Sequence, residues 1–126
     1  MKQLVIAVDF DGTLCEYAFP AIGEQTEQQK NLLELLIKMK ENGHYLILWT
    51  NRGDNEKMKC LSEAVEWCRQ RGLEFDQVNK NNPEREAKKQ SGYSPKILAD
   101  YYIDDKALEF GNESVRVRTL EFLSKL

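Results

Sequence analysis

The sequence has little of what several common classes of protein require. Its 126 residues include only three cysteines, and Cys15, Cys60 and Cys68 lack the paired spacing of a zinc or iron–sulfur site. An odd number of cysteines without a secretory leader indicates reduced thiols, so we expect a cytoplasmic protein. The sequence therefore gives no basis for a disulfide scaffold or a cysteine-bound metal.

Histidine is also scarce. The single histidine, His44, precedes a predicted strand, whereas functional residues of α/β folds follow the strands. This position disfavours a histidine phosphatase, a Ser-His-Asp hydrolase and a Cys-His protease. The sequence also lacks a glycine-rich loop ending in Gly-Lys-Ser/Thr, which argues against a P-loop kinase.

The chain has no excess of basic residues and no long apolar run. Its formal net charge is −3, so we expect neither a nucleic-acid surface nor a membrane-surface patch. Asp9 interrupts the first apolar run before a signal-peptide core or membrane span can form. A hydrophobic fraction of 41% with 31% charged residues is typical of a soluble globular domain, and the length predicts one domain over residues 1–126.

Strand patterns alternate with helix patterns along the chain. Short apolar runs predict strands at 5–8, 44–50, 74–78, 101–103 and 115–117. Apolar periodicity and caps predict helices over 26–42, 54–71 and 82–90, with a short terminal helix. This alternation predicts an α/β fold with a mostly parallel sheet, helices on both faces and right-handed crossovers.

The most informative motif directly follows the first strand. Asp9-Phe10-Asp11-Gly12-Thr13 places two carboxylates around one residue, and Gly12 permits a turn that brings them to one small space. Such a pair suits phosphoryl chemistry, in which Asp9 attacks phosphorus and Asp11 exchanges the proton. The competing interpretation is an ordinary Asp-Gly turn.

Further polar residues follow other predicted strands. These are Thr50 and Asn51 after the second strand, and Asp104 and Asp105 after 101–103. The carboxyl ends of parallel strands lie at one edge of a sheet, so we expect these groups to meet Asp9 and Asp11 there. Carboxylates are the ligands that Mg²⁺ prefers, and the Thr50 hydroxyl is a suitable donor to a phosphoryl group.

With these four elements the chain resembles the haloacid dehalogenase superfamily. The residues carrying the resemblance are the Asp9–Thr13 motif, the strand ending at Thr50, Lys96 and the pair Asp104-Asp105. The resemblance implies a capless, three-layer Rossmann-like fold, with the first strand in the middle and the second and fourth beside it. It also implies an aspartyl-phosphate intermediate on Asp9.

The resemblance further assigns roles to single residues. Asp11 would be the general acid and base, and its presence favours hydrolysis of phosphate esters over dehalogenation. Thr50, Asn51 and Lys96 would bind phosphate. The magnesium site would draw on Asp9, Asp11, Asp104 and Asp105.

Two assignments stay open. Lys96 lies close to its strand, so Lys80, or Lys88 and Lys89, are alternatives for the phosphate-binding cation. Arg52 can contact substrate or stabilise its own loop.

The lack of a cap leaves the substrate class open. Residues 14–25 and 79–95 have room only for short loops. Capless relatives accept macromolecular substrates or close the site by forming homo-oligomers. A sugar phosphate, a nucleotide and a phosphorylated macromolecule therefore all stay open as substrates.

Other functions remain as alternatives. A receiver-like phosphoaspartate module without turnover also places Asp, Thr and Lys around magnesium, but its adjacent acidic pair comes early in the chain. An inactive binding domain is a third interpretation. The final Ser124-Lys125-Leu126 matches a peroxisomal address, although Leu120, Leu123 and Leu126 equally form an apolar stripe of the terminal helix.

Overall fold

The computed structural model describes residues 2–126, which form an α/β fold around a four-stranded parallel sheet. The strands are β1 (Val5–Val8), β2 (Tyr45–Leu48), β3 (Gln77–Val78) and β4 (Tyr101–Ile103). The flanking helices are α1 (Glu27–Glu41), α2 (Cys60–Gln70), α3 (Pro83–Lys88) and α4 (Glu113–Ser124). The predicted Rossmann-like fold is confirmed, and residues 2–126 contain no inserted cap.

Strand β1 lies in the interior of the sheet. The strand order is β3-β2-β1-β4, and Val8 at the end of β1 pairs with Leu48 on one side and Ile103 on the other. The predicted neighbours of the first strand are therefore confirmed. Because all pairs are parallel, the residues that follow β1, β2 and β4 leave the sheet at the same edge.

The alternation of strand side chains divides the core between the two faces of the sheet. Ile6 and Val8 belong to a large cluster that includes Leu36 of α1 and Cys68 of α2. The opposite face carries a smaller cluster of four buried residues, which are Val5, Ala7, Ile47 and Ile97. A short strand that is buried on both sides is typical of a parallel sheet.

Local capping fixes the starts of the first two helices. Thr26 and Gln29 form the predicted capping box of α1. The second helix begins at Cys60, later than predicted. Asp54 nevertheless caps it from the preceding loop, since its Oδ1 accepts from the N–H groups of Leu61 and Ser62, both at 3.0 Å.

The predicted strand over 115–117 is wrong, because these residues lie within α4. The side chain of Asn112 accepts from the Val115 N–H at 3.1 Å and caps the helix. Val115 and Val117 alternate with Arg116 as in a strand, but the helix propensity of valine is only about 0.5 kcal/mol below that of good helix formers. A cap is sufficient to offset that difference. Among residues 2–126 no helix is both long enough and apolar enough to span a membrane.

Candidate active site

A cavity of about 410 Å³ opens at the carboxyl edge of the sheet. Seven of the eight predicted site residues line it, namely Asp9, Asp11, Thr50, Asn51, Arg52, Asp104 and Asp105. The structure therefore brings together residues from the ends of three strands. Three further lining residues, Tyr17, Phe19 and Lys106, were not predicted.

Three of the acidic residues form a tight cluster. Asp9, Asp104 and Asp105 each place one carboxylate oxygen so that these atoms lie within 4.8 Å of one another. Three hard oxygen donors on one side, with the cavity on the other, fit a magnesium ion that keeps several waters. The donor set thus suits the predicted cofactor.

Thr13 ties this cluster together across the sheet. Its hydroxyl donates to Oδ2 of Asp9 at 3.0 Å and accepts from the N–H of Asp105 at 3.0 Å. Thr13 is buried, and both bonds are partly buried. The residue was part of the predicted motif but had no predicted role, and here it fixes the Asp9 carboxylate relative to the segment after β4.

Gly12 makes room for Asp105. Its φ is +85°, and a Cβ at this position would lie 2.2 Å from Oδ2 of Asp105. Residues other than glycine rarely adopt such a φ, and a side chain here would overlap the carboxylate. The turn after Asp11 therefore requires glycine for two independent reasons.

The cluster raises the proton affinity of Asp9. The pKa of Asp9 is raised from 3.8 to about 6, mainly by burial; the neighbouring Asp105 and Asp104 also contribute to the rise, whereas the hydrogen bond from Thr13 opposes it. Burial and like charge both penalise the ionised form. A divalent cation among the three carboxylates would favour that ionised form.

Asp11 faces away from the acidic cluster and pairs with Arg52. The Arg52 Nε donates to Oδ2 of Asp11 and Nη2 donates to Oδ1, each at 2.8 Å. This ion pair raises the pKa of the Arg52 guanidinium. Of the four carboxylates predicted to bind magnesium, three therefore lie together in the cluster, whereas the carboxylate of Asp11 pairs with a guanidinium.

Arg52 also holds the loop that precedes α1. Its side chain is 0% exposed, and it donates to the main-chain oxygens of Pro20, Ala21 and Cys60 at 3.3, 2.9 and 3.2 Å. All of its nitrogens are thus engaged by the protein. Of the two predicted roles of Arg52, this geometry supports stabilisation of the loop. No side-chain N–H of Arg52 remains free to donate to a substrate.

Thr50 is placed to donate to a ligand. Its main-chain N–H donates to Oδ1 of Asn79 at 2.8 Å, and its hydroxyl oxygen accepts from the N–H of Arg52 at 3.1 Å. The hydroxyl hydrogen remains available to the cavity. Asn79 was not predicted, although its φ of 55° marks an unusual backbone position.

The lysine that lines the cavity is Lys106, which was not predicted. Lys96 is not among the lining residues, and its Nζ lies 5.3 Å from the ring of Tyr102. Among the alternatives, Lys80 lines a separate cavity and Lys88 contacts Glu84. Lys89 contacts Ser94. Lys106 could have been found from its place directly after Asp104-Asp105 at the end of a strand.

Two aromatic side chains form the rim of the cavity. Tyr17 and Phe19 are 61% and 47% exposed, and both lie in the loop between Asp11 and α1. The Lys106 Nζ lies 5.1 Å from the centre of the Tyr17 ring. The Arg52 guanidinium lies 5.2 Å from the centre of the Phe19 ring. Arg52 therefore holds this loop from the protein interior, while the rings of Tyr17 and Phe19 remain accessible to solvent.

Comparison with known proteins gives one informative match. No model of a protein family matches the chain, and no curated protein matches it. The solved structure of a conserved protein coded by a locus from Bacteroides thetaiotaomicron is 38% identical, with a TM-score of 0.66. The match covers 99% of this chain and 93% of the other chain. The chain therefore belongs to the same family as that conserved Bacteroides thetaiotaomicron protein.

Proposed function

We propose that this protein is a magnesium-dependent phosphomonoester hydrolase of the haloacid dehalogenase type, acting through an aspartyl-phosphate on Asp9. One observation carries the proposal: a single cavity contains Asp9 in a three-carboxylate cluster and Asp11 outside that cluster. Two carboxylates in different surroundings can serve as nucleophile and proton carrier.

The first half of the reaction transfers the phosphoryl group to the enzyme. A carboxylate oxygen of Asp9 forms a bond to phosphorus while the bond from phosphorus to the ester oxygen breaks. Asp11 gives its proton to that departing oxygen. Magnesium held by Asp9, Asp104 and Asp105 would supply positive charge opposite the phosphoryl oxygens.

The second half returns Asp9 to its starting state. Asp11, now ionised, takes a proton from water as the water oxygen attacks phosphorus, and the bond between phosphorus and Asp9 breaks. The hydroxyl of Thr50 and the ammonium of Lys106 would bind the phosphoryl oxygens throughout, because both groups line the same cavity. Inorganic phosphate leaves, and Asp11 again holds a proton.

The ion pair of Asp11 adds a step before the chemistry. A carboxylate that accepts from Arg52 through both oxygens has no proton to give. We infer that Asp11 turns away from Arg52 and takes up a proton from solvent when a phosphate ester occupies the cavity. After phosphate leaves, it releases that proton and returns to Arg52. The proton carrier would then be engaged only in the substrate complex.

The substrate class follows from the absence of an inserted cap in residues 2–126. An uncovered cavity admits either a small phosphate ester or a phosphorylated side chain of a macromolecule. A cytoplasmic location is part of the proposal, and the three free, buried cysteines are compatible with a reducing compartment.

The decisive experiment is hydrolysis of an aryl phosphate by the purified protein with magnesium and with a chelator. Asp9→Asn should abolish turnover, since the variant has no attacking carboxylate. Asp76→Asn is the matched control, because Asp76 does not line the cavity. Wild-type protein without magnesium-dependent turnover on a broad panel of phosphate esters would overturn the proposal.

The same assay separates the hydrolase from the receiver-like module. A hydrolase releases many phosphates per chain, and its aspartyl-phosphate is short-lived. A receiver would take up at most one phosphoryl group from a small phosphodonor and keep it for minutes. Stable labelling of wild-type Asp9 without multiple turnover would favour the receiver.

A further inference from the structure

The loop between Asp11 and α1 places two aromatic rings at the mouth of the cavity. Tyr17 and Phe19 both line the cavity, and they are 61% and 47% exposed. A single exposed apolar side chain is common on a protein surface, but two aromatic rings at the entrance of one cavity are typical of a ligand site. The proposed reaction gives neither ring a role, so both are available for contact with a substrate.

The loop that carries the rings is held at several points. The Glu16 N–H donates to the main-chain oxygen of Glu24 at 2.8 Å and closes the loop. Within the loop, the main-chain oxygens of Pro20 and Ala21 accept from the buried Arg52 side chain. A ligand that contacts the rings therefore meets a surface whose position is already fixed, and binding costs less conformational entropy than it would on a free loop.

Each ring also has a cation on one side. The Phe19 ring lies over the Arg52 guanidinium, 5.2 Å from its centre, and the Tyr17 ring lies 5.1 Å from the Lys106 Nζ. Contacts between a cation and a π system hold a ring by one face. Because about half of each aromatic residue remains exposed, the other ring surface can stack with a planar group of the substrate.

The proton carrier shows which end of an ester meets the rings. In phosphoryl transfer the leaving oxygen departs roughly in line with the attacking oxygen and opposite to it, and the general acid has to reach the leaving oxygen. Asp11 lines the same cavity as the rings. A second cavity of about 220 Å³ also reaches Asp9, but neither Asp11 nor either ring lines it. The leaving group of an ester that Asp9 attacks therefore lies on the side of Tyr17 and Phe19.

We propose that Tyr17 and Phe19 form the subsite for the leaving group and select phosphate esters whose leaving group carries a planar aromatic ring. Aryl groups and nucleobases share this chemistry, because both present a flat π surface. The cavity of about 410 Å³ is near the lower end of the usual size of ligand sites, about 300–1,000 Å³, which suits one phosphoryl group with a ring system at the mouth. The inference rests on the proposed function, which decides that Asp9 attacks and Asp11 protonates.

Two pairs of esters test the proposal on the full chain with magnesium. Adenosine monophosphate and ribose phosphate, both esterified at the primary hydroxyl of the sugar, differ only in the base. Benzyl phosphate and cyclohexylmethyl phosphate differ in whether the ring is flat. In at least one pair the ester with the planar ring should have the higher kcat/KM, by roughly 5- to 100-fold for the nucleotide pair or about 3- to 10-fold for the benzyl pair. The pair with the larger preference shows whether a nucleobase or an aryl group fits better.

Removal of either ring should reduce the preference. Phe19→Leu and Tyr17→Leu keep an apolar side chain and should retain the fold, which thermal melting checks, but each should lower the ratio of kcat/KM within a pair by about threefold or more. The ratio excludes indirect effects through Lys106 or Arg52, because those act on the phosphoryl end of both esters. Phe19→Tyr keeps a ring and should keep the ratio. Tyr93→Leu is the matched control, because Tyr93 is 85% exposed and does not line this cavity.

Binding without turnover separates this inference from the proposed function. Asp9→Asn has no attacking carboxylate, so calorimetry with the same esters and saturating magnesium measures affinity alone. The ester with the planar ring should bind more tightly than its partner. Addition of Phe19→Leu to Asp9→Asn should weaken the binding of that ester only.

Turnover with equal kcat/KM within both pairs would overturn the inference and leave the hydrolase in place. A preference that persists in Phe19→Leu and in Tyr17→Leu would also overturn it, since another part of the cavity would then select the ring. Binding that prefers the planar ring through Phe19, in a wild type that hydrolyses no ester, would support the ring subsite and overturn the hydrolase. Neither turnover nor a binding preference would overturn both.

Discussion

Arg52 holds both carboxylate oxygens of Asp11, with each N–O distance at 2.8 Å. The two residues come from the ends of neighbouring strands, and the pair lies at the inner wall of the cavity. Because the guanidinium is fully buried, the pair is shielded from salt and water. Arg52 therefore acts on the proposed reaction through the position of Asp11.

Arg52→Lys should lower kcat of the proposed hydrolase by about 10- to 100-fold with little change in KM. Lysine keeps the charge but cannot hold both oxygens of Asp11 and the three main-chain oxygens at once, so the resting position from which Asp11 turns into the cavity is no longer fixed. Steady-state kinetics on an aryl phosphate measures both constants. Arg71→Lys, directly after α2, is the control, since the Arg71 guanidinium contacts Trp67 and Arg71 does not line the cavity. A large rise in KM alone would instead mean that Arg52 contacts substrate.

Arg52→Ala should destabilise the fold by about 3–5 kcal/mol, because it leaves a partly buried carboxylate and three main-chain oxygens without their donor. Chemical denaturation measures the free energy of unfolding of this variant and of Arg52→Lys, which should lose less stability. Equal stability of wild type and Arg52→Ala would show that the loop before α1 does not depend on the ion pair.

Asp104→Asn and Asp105→Asn should each raise the magnesium concentration for half-maximal activity roughly tenfold or more, because each removes one anionic donor from the cluster. Activity should partly recover at high magnesium. Glu109→Gln removes the same charge from an exposed position in the adjoining segment and should leave the requirement unchanged. Unaltered magnesium dependence in Asp104→Asn would mean that the metal binds elsewhere.

Lys106→Met should lower kcat/KM for phosphate esters by about 10- to 100-fold, the usual loss for a charge-assisted hydrogen bond to an anion. Lys96→Met should change kcat/KM less than threefold, because Lys96 does not line the cavity. A threefold change corresponds to roughly 0.6 kcal/mol in the free energy of activation. The comparison of the two variants identifies the phosphate-binding lysine. The opposite ranking would restore the original assignment to Lys96.

Gly12→Ala should reduce both stability and activity. The positive φ alone costs about 1–2 kcal/mol for alanine, and the new Cβ would displace the Asp105 carboxylate. Thermal melting and magnesium titration should both shift. Gly111→Ala is the control, because a Cβ there meets nothing within 4 Å, and neither measurement should move.

Asp9→Asn should raise the melting temperature of the magnesium-free protein at pH 7 by about 3–5 °C. Folding raises the pKa of Asp9 from 3.8 to about 6, so the folded protein binds this proton more tightly than the unfolded chain. Asp9 therefore destabilises the fold progressively as the pH rises from 4 to 6, and asparagine removes that penalty.

The expected rise in melting temperature corresponds to a gain of about 1 kcal/mol in the free energy of unfolding. This value is reduced to allow for solvent screening of a half-exposed carboxyl. The gain should be absent at pH 4, where Asp9 is protonated in the folded state. Magnesium should also diminish the gain, because it stabilises the ionised wild type. A variant that is no more stable than wild type at pH 7 without magnesium would contradict the assigned pKa.

The parts of the fold set by local pattern could be predicted from the sequence. Short apolar runs followed by polar residues identify the strands before Asp9, Thr50 and Asp104. Because the carboxyl ends of these parallel strands lie at one edge of the sheet, the polar residues come together there. The cap of α1 at Thr26 is equally local. These features need no knowledge of distant contacts.

The residues whose place at the site a sequence pattern could not give depend on contacts between distant segments. Lys106 reaches the cavity because the chain turns after β4, and that turn carries no periodic signal. Arg52 pairs with Asp11 across 41 positions of sequence, which a pattern cannot distinguish from a contact with substrate. Val115 and Val117 alternate as in a strand, and only the Asn112 cap identifies the helix.

The hydrogen bond from the Asp105 N–H to Thr13 joins residues 92 positions apart. Asp9 lies near one end of this separation, and its two acidic neighbours lie at the other end, directly after β4. A nascent chain folded as far as α3 would have Asp9 and Asp11 in place but no three-carboxylate cluster. Metal binding would therefore begin only after β4 and the two residues that follow it have docked beside β1, and it would stabilise the sheet with all four strands in place.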